Sequence, residues 1–297
     1  HTTLFESNLA GRVAAARLRI PVVSSMVNAE YGPEHFADPR LSAVRLRGAQ
    51  AADVLTGRLV RRWHAITQFV ADAMSARLRV RRDRIDVIPR GRDPELLGTR
   101  SAERAAATRR ALGIGDGVPL VLAAARQEHQ KGLDVLLEAW PDVVRRVAAA
   151  RLVVAGREGN QSPLLREAVH RLGLTESVTF LGVRSDVPDL LAAADAFAFP
   201  SRWEGLGSVL LEAMALEAPI VTSDLPPVRE IVTHGTDALV VPPESPARLA
   251  EAIAETLTER GPAAARAARA RRRFLQEFAI GEVADRTVGF YERSLRR

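Results

Sequence analysis

Three kinds of feature are absent or scarce in this 297-residue chain, and each limits the classes of protein to which it can belong. There is no cysteine, which excludes a disulfide framework and a cysteine-ligated metal site. Aromatic residues make up 5% of the chain and no nucleic-acid-binding motif is present, which argues against nucleic acid as a partner. No apolar run approaches the length of about 20 residues that a membrane-spanning helix needs.

Lysine is also nearly absent. Lys131 is the single lysine among 42 basic residues, and the other 41 are arginines. The formal net charge of +6 suits an anionic substrate or an anionic membrane surface. The stretch 266–273 (RAARARRR) leaves two interpretations open, a solvated helix face or contact with anionic lipid. The lack of cysteine fits a reducing cytoplasm, with peripheral contact at the inner membrane face as an open alternative.

The length and the apolar content of 47% allow two domains, each with its own core. Strand-like and helix-like patterns alternate through the first 90 residues, which predicts a doubly wound parallel sheet. The predicted strands are 1–3, 20–25, 64–67 and 85–89, and the predicted helices are 7–18, 41–59 and 68–79.

A polar segment, residues 100–117, with one short helix at 102–112, is predicted to lead into the second domain. The pattern that follows predicts a complete six-stranded Rossmann-like unit. Its strands are expected at 118–125, 151–155, 178–181, 196–200, 219–222 and 238–241. Its helices are expected at 132–149 (broken or kinked near Pro141), 163–172, 187–194, from 207 or 208 onward, 228–232 and 246–257. Two further helices are expected beyond the unit, at 260–274 and 280–295.

The stretch 200–216 (PSRWEGLGSVLLEAMAL) contains the main candidate ligand-binding residues. Glu204 falls on a predicted strand-to-helix loop, and Glu212 falls inside the helix that follows. Gly205 and Gly207 allow the loop backbone to approach a ligand closely. The start of the helix favours a phosphate, while the two carboxylates suit the hydroxyls of a sugar or ribose. The stretch therefore indicates a phosphorylated sugar or a nucleotide.

The spacing alone also fits a loop-capping Glu204 and a solvated Glu212, but the flanking residues decide between the two interpretations. P-S before the first glutamate, E-G-x-G at it and E-A-M at the second resemble the E-x7-E signature of retaining glycosyltransferases of family 4. The resemblance implies the GT-B fold class, an α/β protein of two Rossmann-like doubly wound domains. A glycosidase pair is disfavoured because it would need both carboxylates across one glycosidic bond.

Two stretches, 64–74 and 84–95, resemble the end of the family's N-terminal domain. HAITQFVADAM and RIDVIPRGRDPE match its A-x-S/T and V-I-P-N-G-x-D patterns, with Arg90 for the usual asparagine and Arg92 before Asp93. Many relatives carry H-x-H on the strand entered at His1, where this chain has Thr3. What the family places before His1 is absent, so an incomplete first domain is expected. The predicted domains are 1–112 (partial, acceptor side), 113–275 (donor side) and 276–297 (a helix returning to the first domain).

The family's G-R-x4-K-G pattern stands here as A-R-Q-E-H-Q-K-G, with Ala125 for the usual glycine. In relatives, the positions of Arg126 and Lys131 hold the donor diphosphate. Two fixed cations beside a helix N-terminus would stabilise the charge that develops on the leaving diphosphate, without a metal. The alternative for Lys131 is an exposed lysine at a helix start, which contributes little.

The resemblance gives each remaining position a role. Glu204 would bind hydroxyls of the transferred sugar and, with Arg126 and Lys131, forms the predicted catalytic set. Arg184 would stack on or bond the base, or it is an ordinary surface arginine. The predicted donor-binding set is Gly182, Arg184, Gly205, Leu206, Gly207, Ser208 and Glu212, in which Glu212 accepts from the ribose hydroxyls.

The function implied is a retaining, metal-independent hexosyltransferase that uses a nucleotide-sugar donor and no separate cofactor. UDP is the expected nucleotide from its frequency in the family, and the acceptor is a lipid, a saccharide or a small molecule. Front-face attack with the leaving phosphate as base would leave positioning and electrostatics to the protein. Three alternatives remain: a non-catalytic or truncated nucleotide-sugar-binding protein, an epimerase or phosphorylase of the same fold, and a basic surface-binding protein.

Overall fold

The computed structural model describes residues 1–36 and 42–296. Its internal contacts divide the chain into two units. The first comprises residues 1–91, 204–206 and 280–297, and the second comprises residues 92–203 and 207–279. The two units are described separately.

The first unit is built on a parallel sheet in the order β1-β2-β3-β4. Its strands are β1 (Thr2–Thr3), β2 (Val22–Met26), β3 (Val60–Ala65) and β4 (Ile85–Val87). The helices between them are α1 (Phe5–Arg17), α2 (Pro33–Phe36), α3 (Ala43–Gly57) and α4 (Gln68–Leu78). The alternation predicted from the sequence is present. The predicted start of the helix 41–59 at Leu41 lies outside the described residues.

A buried ion pair stands inside this unit. Arg12 on α1 is fully buried and pairs with Asp53 on α3. Its Nε also donates to Ser24 Oγ at 3.0 Å, and its guanidinium lies over the Trp63 ring, 4.6 Å from the centroid. Hydrogen bonds and a facing charge are what a buried arginine requires, so these contacts tie α1 and α3 to the sheet.

The second unit begins at Arg92 and is built on a six-stranded parallel sheet. Its strands are β5 (Leu120–Ala124), β6 (Arg151–Ala155), β7 (Val178–Gly182), β8 (Ala196–Phe199), β9 (Ile220–Ser223) and β10 (Leu239–Val241). Its helices are α5 (Pro94–Leu97), α6 (Ala102–Ala111), α7 (Leu133–Arg146), α8 (Ser162–Arg171), α9 (Val187–Ala193), α10 (Ser208–Ala215), α11 (Pro226–Arg229), α12 (Pro246–Thr258) and α13 (Arg260–Glu277).

The strand order of this sheet is β10-β9-β8-β5-β6-β7. Counted along the unit, this is the Rossmann order 3-2-1-4-5-6, in which the direction of winding reverses between β5 and β8. Ligands of such sheets bind outside the carboxyl ends of the strands at this switch point. The segment with Arg126 directly follows β5, and the segment that leads to α10 follows β8, so both leave the sheet at the switch.

Helix α7 lies against the core and corrects one expectation. A break or a kink was predicted near Pro141, and the structure excludes the break, since the helix runs from Leu133 through Pro141 to Arg146. Its apolar residues hold it in place: Trp140 is fully buried and donates from Nε1 to Ser177 Oγ at 3.1 Å. Burial of this stripe offsets the hydrogen bond that proline cannot donate.

The first unit ends between Gly91 and Arg92, earlier than the boundary predicted after residue 112. Arginines of the intervening segment explain the difference. Arg100 donates to the carbonyl oxygens of Glu217 and Ala194 at 3.0 and 2.9 Å. Arg109 donates to the Val118 carbonyl at 2.7 Å. The carbonyls of Glu217 and Ala194 lie just beyond helix ends, and that of Val118 lies just before β5, so these bonds tie the intervening segment to the second unit.

The last helix, α14 (Ile280–Leu295), belongs to the first unit. Phe290 is 1% exposed and packs in a cluster with Val23, Ile88 and Val283. Arg286 donates to the Val87 carbonyl at 3.0 Å, which fastens the helix at the end of β4. None of the helices in residues 1–36 and 42–296 combines the length and apolar content needed to cross a bilayer.

Candidate functional site: a nucleotide seat at the sheet switch point

The segment after β5 carries both predicted diphosphate cations. Arg126 is exposed and lies two residues beyond the end of the strand. Lys131 closes a short 3₁₀ turn, His129–Lys131, with its Nζ 5.8 Å from the centre of the Phe199 ring. Gly132 then turns the chain into α7 with a φ of 60°, and a Cβ there would overlap the carbonyl oxygen of Pro200. Glycine is therefore required where this segment meets the one that follows β8.

Hydrogen bonds join these two segments. The Arg202 amide donates to the Gln130 carbonyl at 2.8 Å, and Gln130 Nε2 donates to the Trp203 carbonyl at 2.8 Å. The His129 and Trp203 rings lie 5.9 Å apart in a tilted arrangement. The turn that holds Lys131 is consequently fixed to the residues directly before Glu204.

Residues 204–206 are described with the first unit. Gly205 is buried, its carbonyl accepts from Thr67 Oγ1 at 3.0 Å, and a Cβ there would overlap the Val27 carbonyl. Leu206 is 2% exposed, whereas Glu204 is partly exposed. The close approach expected at Gly205 is thus made by protein backbone.

The start of α10 has the geometry of an anion seat. Gly207 has a φ of 85°, and a Cβ there would lie about 3.0 Å from the Phe199 ring. Ser208 opens the helix, as the sequence predicted, and no side chain of the described residues caps this helix start. The amides at such a helix start carry partial positive charge, so a phosphate would be favoured there.

Glu212 lies one turn further along α10 with its side chain 20% exposed. Arg92 donates from Nε to Glu212 Oε1 at 2.7 Å. Sequence reasoning noted Arg92 only as the residue before Asp93 and did not foresee this pairing, because the residues are 120 positions apart.

The segment after β7 contains the residues assigned to the base. Gly182 has a φ of 67°, and its carbonyl accepts from the Gly156 amide at 2.7 Å. Arg184 pairs with Asp186 through two hydrogen bonds of 2.7 and 2.5 Å. This fork lowers the pKa of Asp186 and raises that of Arg184. Asp186 thus holds one edge of the Arg184 guanidinium, and the predicted contact of Arg184 with a base stays a prediction.

The arginine-rich stretch 266–273 lies within α13, where several of its side chains turn to the protein. Arg271 donates to the Ala215 carbonyl, and Arg269 to that of Thr236. Arg273 donates to the Glu230 carbonyl at 2.9 Å. These three arginines thus bind carbonyls of the protein itself, a structural role that neither a solvated helix face nor lipid contact describes.

His1, a candidate from the H-x-H comparison, lies in a hydrogen-bonded chain of the first unit. Its Nε2 lies 2.6 Å from Ser25 Oγ, and its Nδ1 lies 2.6 Å from the Tyr291 hydroxyl. Both ring nitrogens are thus engaged inside this unit.

Comparison with known proteins places these features in a family. The profile described as "Glycosyl transferases group 1" matches residues 105–273, and that described as "Glycosyltransferase Family 4" matches residues 1–96. The chain belongs to the glycosyl transferases group 1 family. The resemblance seen in the sequence is therefore confirmed.

Curated relatives align mostly over part of their length. The chain is 31% identical over 213 residues to an uncharacterized glycosyltransferase, MJ1607, of Methanocaldococcus jannaschii, covering 71% of this chain and 54% of the relative. It is 35% identical over 196 residues to a GDP-mannose-dependent alpha-(1-6)-phosphatidylinositol monomannoside mannosyltransferase of Mycobacterium tuberculosis, covering 63% and 50%. The chain thus spans about half the length of these two relatives.

Solved structures confirm the predicted fold class. Anabaena Alr3699/HepE in complex with UDP superposes with a TM-score of 0.87 at 23% identity, covering 99% of this chain and 79% of that one. WaaG, a glycosyltransferase involved in lipopolysaccharide biosynthesis, gives a TM-score of 0.78 at 22% identity, covering 89% and 74%. Two Rossmann-like domains of the GT-B class are therefore present, as expected.

Proposed function

We propose that this protein transfers a sugar from a nucleotide-diphosphate sugar, with UDP as the nucleotide, to a lipid, saccharide or small-molecule acceptor. One observation carries the proposal: the Arg126–Lys131 segment after β5 is bonded to the segment after β8, which leads into the start of α10. The segments that carry the cations and the uncapped helix start therefore both lie at the switch point of the sheet, where this class of fold binds phosphate.

The two cations would stabilise the leaving diphosphate. As the glycosidic bond to the donor breaks, negative charge grows on the phosphate oxygens, and fixed positive groups stabilise that charge more than they stabilise the ground state. Arg126 and Lys131 supply these groups from the protein itself, which supports a metal-independent reaction. Retention of configuration follows from the family resemblance, with the leaving phosphate taking the acceptor proton.

The two glutamates would hold hydroxyl groups. Glu212 accepts from the ribose while Arg92 holds its carboxylate in place, and Glu204, three residues before Gly207, accepts from the transferred sugar. Leu206, Gly207 and Ser208 would place backbone atoms along the sugar and the phosphates. Gly182 and Arg184 would face the base.

The identity of the base has a second candidate. Alr3699/HepE is described in complex with UDP and with UDP-glucose, which supports UDP. The mycobacterial relative is named as GDP-mannose-dependent, which supports GDP. A direct comparison of nucleotides separates the two.

Calorimetric titration of the full chain with UDP, GDP and ADP tests the proposal. We expect saturable binding of UDP and at least a tenfold loss of affinity in Glu212→Ala, since removal of a hydrogen-bonding carboxylate costs about 1.5–3 kcal/mol. Stronger binding of GDP would change the proposed base to guanine and leave the proposed binding site unchanged. Binding to none of the three, by protein with a cooperative thermal transition, would contradict the proposal.

Transfer itself needs its own measurement. We expect release of the nucleotide from the UDP-sugar in the presence of acceptor extracts, and loss of that release in Glu204→Gln. Tight nucleotide binding without any transfer would instead support the non-catalytic alternative.

A further inference from the structure

The two segments at the sheet switch are joined by a side chain that the sequence comparison left without a role. Arg202 stands between the P-S and E-G parts of the signature. Its side chain is 9% exposed, although arginine is usually a surface residue. A buried guanidinium requires partners for its five N–H groups and for its charge.

Five hydrogen bonds meet that requirement. Nη1 donates to Asp134 Oδ1 at 2.7 Å and to the His129 carbonyl at 2.8 Å. Nη2 donates to Asp134 Oδ2 at 2.7 Å and to Glu244 Oε2 at 3.2 Å, and Nε donates to Glu244 Oε1. The five bonds match the five N–H donors of arginine, so within the described residues none is left for a phosphate.

Arg202 and its two carboxylate partners come from three separate places in the fold. Asp134 lies in the first turn of α7, directly after the Lys131 turn. Glu244 follows β10 and has a φ of 57°, a left-handed conformation that a residue with a side chain adopts only when its surroundings hold it. Arg202 itself follows β8. The group therefore connects the segments that leave β5, β8 and β10.

Electrostatics agree with a holding role. Burial alone would raise the pKa of Asp134, but the hydrogen bonds and charge of Arg202 outweigh burial and lower it. The same two carboxylates raise the pKa of Arg202 although burial opposes this. Because one cation faces two carboxylates, the group brings no net positive charge to the phosphate seat.

We propose that Arg202, with Asp134, Glu244 and the His129 carbonyl, is a positioning clamp that fixes the Lys131 turn and Trp203 for binding of the donor. The assignment of the turn to a donor rests on the proposed function. An arginine that binds phosphate directly needs N–H groups that are not already used within the protein. Arg202 instead acts on the donor indirectly, through the backbone and the carboxylates that it holds. A displacement of about 1 Å at a binding group is enough to cost about 100-fold in rate.

Arg202→Gln and Arg202→Lys test the clamp, with Arg166→Gln as the matched control. Arg166 forms an ion pair with Glu158 on the surface of the same unit, and both side chains are more than half exposed. We expect Arg202→Gln to lower nucleotide affinity and kcat/KM by about 100-fold. We expect Arg202→Lys to restore only part of the loss, since an ammonium cannot form the double fork. Arg166→Gln should leave both values unchanged.

Fluorescence provides a readout that does not depend on catalysis. Of the three tryptophans, Trp63 and Trp140 are 1% and 0% exposed, so acrylamide quenching reports chiefly on Trp203. We expect increased quenching in Arg202→Gln, with Trp203→Phe confirming the source of the signal. Asp134→Asn should have a larger effect than Glu244→Gln, because the Glu244 side chain is 59% exposed and that of Asp134 is 40% exposed.

Two outcomes would overturn the clamp. A lower melting temperature of Arg202→Gln, with unchanged nucleotide affinity and quenching, would reduce Arg202 to a stabilising ion pair. If the protein binds no nucleotide, unchanged quenching in all four clamp variants would lead to the same conclusion. If the wild type binds no nucleotide but the variants expose Trp203, the clamp stands and the proposed function fails.

Discussion

Arg92 donates a hydrogen bond from Nε to Oε1 of Glu212, with the two atoms 2.7 Å apart. The side chains are 28% and 20% exposed, so the pair is partly shielded from solvent. The bond holds one carboxylate oxygen and thereby orients the other. An oriented carboxylate binds hydroxyl groups with less loss of side-chain entropy than a freely rotating one.

Removal of Arg92 tests this arrangement. We expect Arg92→Gln to weaken nucleotide binding by about five- to tenfold, because a charge-assisted bond contributes on the order of 1–1.5 kcal/mol at a partly exposed position. Glu212→Gln should cost more, since it alters the group that we propose accepts from the ribose. Titration calorimetry measures both.

The control for this pair is Arg248→Gln, which breaks an exposed ion pair with Glu251 on α12. We expect wild-type affinity there. Wild-type affinity in Arg92→Gln would mean that Glu212 needs no orientation, or that the ribose does not bind there.

Lys131 is expected to act on the transition state more than on binding. Lys131→Met should lower kcat by about 10²-fold or more, the usual effect of losing one group that stabilises developing charge. Nucleotide affinity should fall less than kcat does. Steady-state rates with a UDP-sugar, together with the nucleotide Kd, give this comparison, and an equal fall in both would assign Lys131 to uniform binding.

Gly132 offers a test by stability. Its φ of 60° and its approach to the Pro200 carbonyl leave no room for a Cβ, so we expect Gly132→Ala to cost about 2–3 kcal/mol of unfolding free energy. Gly173 is the matched control, because it has a φ of 65° and no atom of the described residues lies within 4 Å of the place a Cβ would take. Gly173→Ala should cost about 1 kcal/mol. Equal losses of unfolding free energy in the two variants, measured by urea unfolding, would show that the approach to Pro200 does not affect stability.

The agreement between sequence and structure has an identifiable physical basis. Alternating strands and helices, and a glycine-rich turn before an apolar helix, are local patterns, so α10 begins at Ser208 as predicted. Trp140 explains why α7 is not broken at Pro141: its burial depends on tertiary packing, which the proline rule does not include.

The unforeseen contacts are those between distant residues. Arg92 meets Glu212 across 120 positions, and Arg202 meets Glu244 across 42. Local periodicity carries no information on such pairs. Because arginine is abundant in this chain, Arg92 and Arg202 could not be told from surface arginines by sequence. The boundary at Gly91 differs from the predicted one for the same reason, since the carbonyl partners of Arg100 lie far along the chain.

His64 gives the first unit a pH dependence. Its Nε2 lies 2.7 Å from the Ile88 carbonyl and must donate to it, so Nδ1 accepts from the Ser25 hydroxyl at 2.8 Å. Burial lowers the pKa of His64, although the bond to the Ile88 carbonyl opposes this. Between that lowered pKa and the ordinary value of 6.5, the unfolded chain binds the proton more readily than the folded one.

Stability should therefore be fully present above about pH 6.5 and should decrease as the pH falls through that value toward the lowered pKa. We expect His64→Gln to flatten this dependence in urea unfolding between pH 5 and 8. His170→Gln, at an exposed position on α8, should keep the wild-type slope. A slope unchanged by His64→Gln would assign the pH dependence to other groups.

The arginines of α13 separate a structural role from lipid contact. Arg273 donates to the Glu230 carbonyl at 2.9 Å and lies 3.4 Å from Asp237, whose side chain is 4% exposed. We expect Arg273→Gln to cost about 1–3 kcal/mol, because a buried carboxylate and a carbonyl lose a charged donor. Arg272→Gln, at an exposed neighbouring position, should cost less than about 0.5 kcal/mol. Sedimentation with anionic vesicles should give equal binding for both variants and the wild type. Weaker vesicle binding by Arg273→Gln at unchanged stability would restore the lipid interpretation.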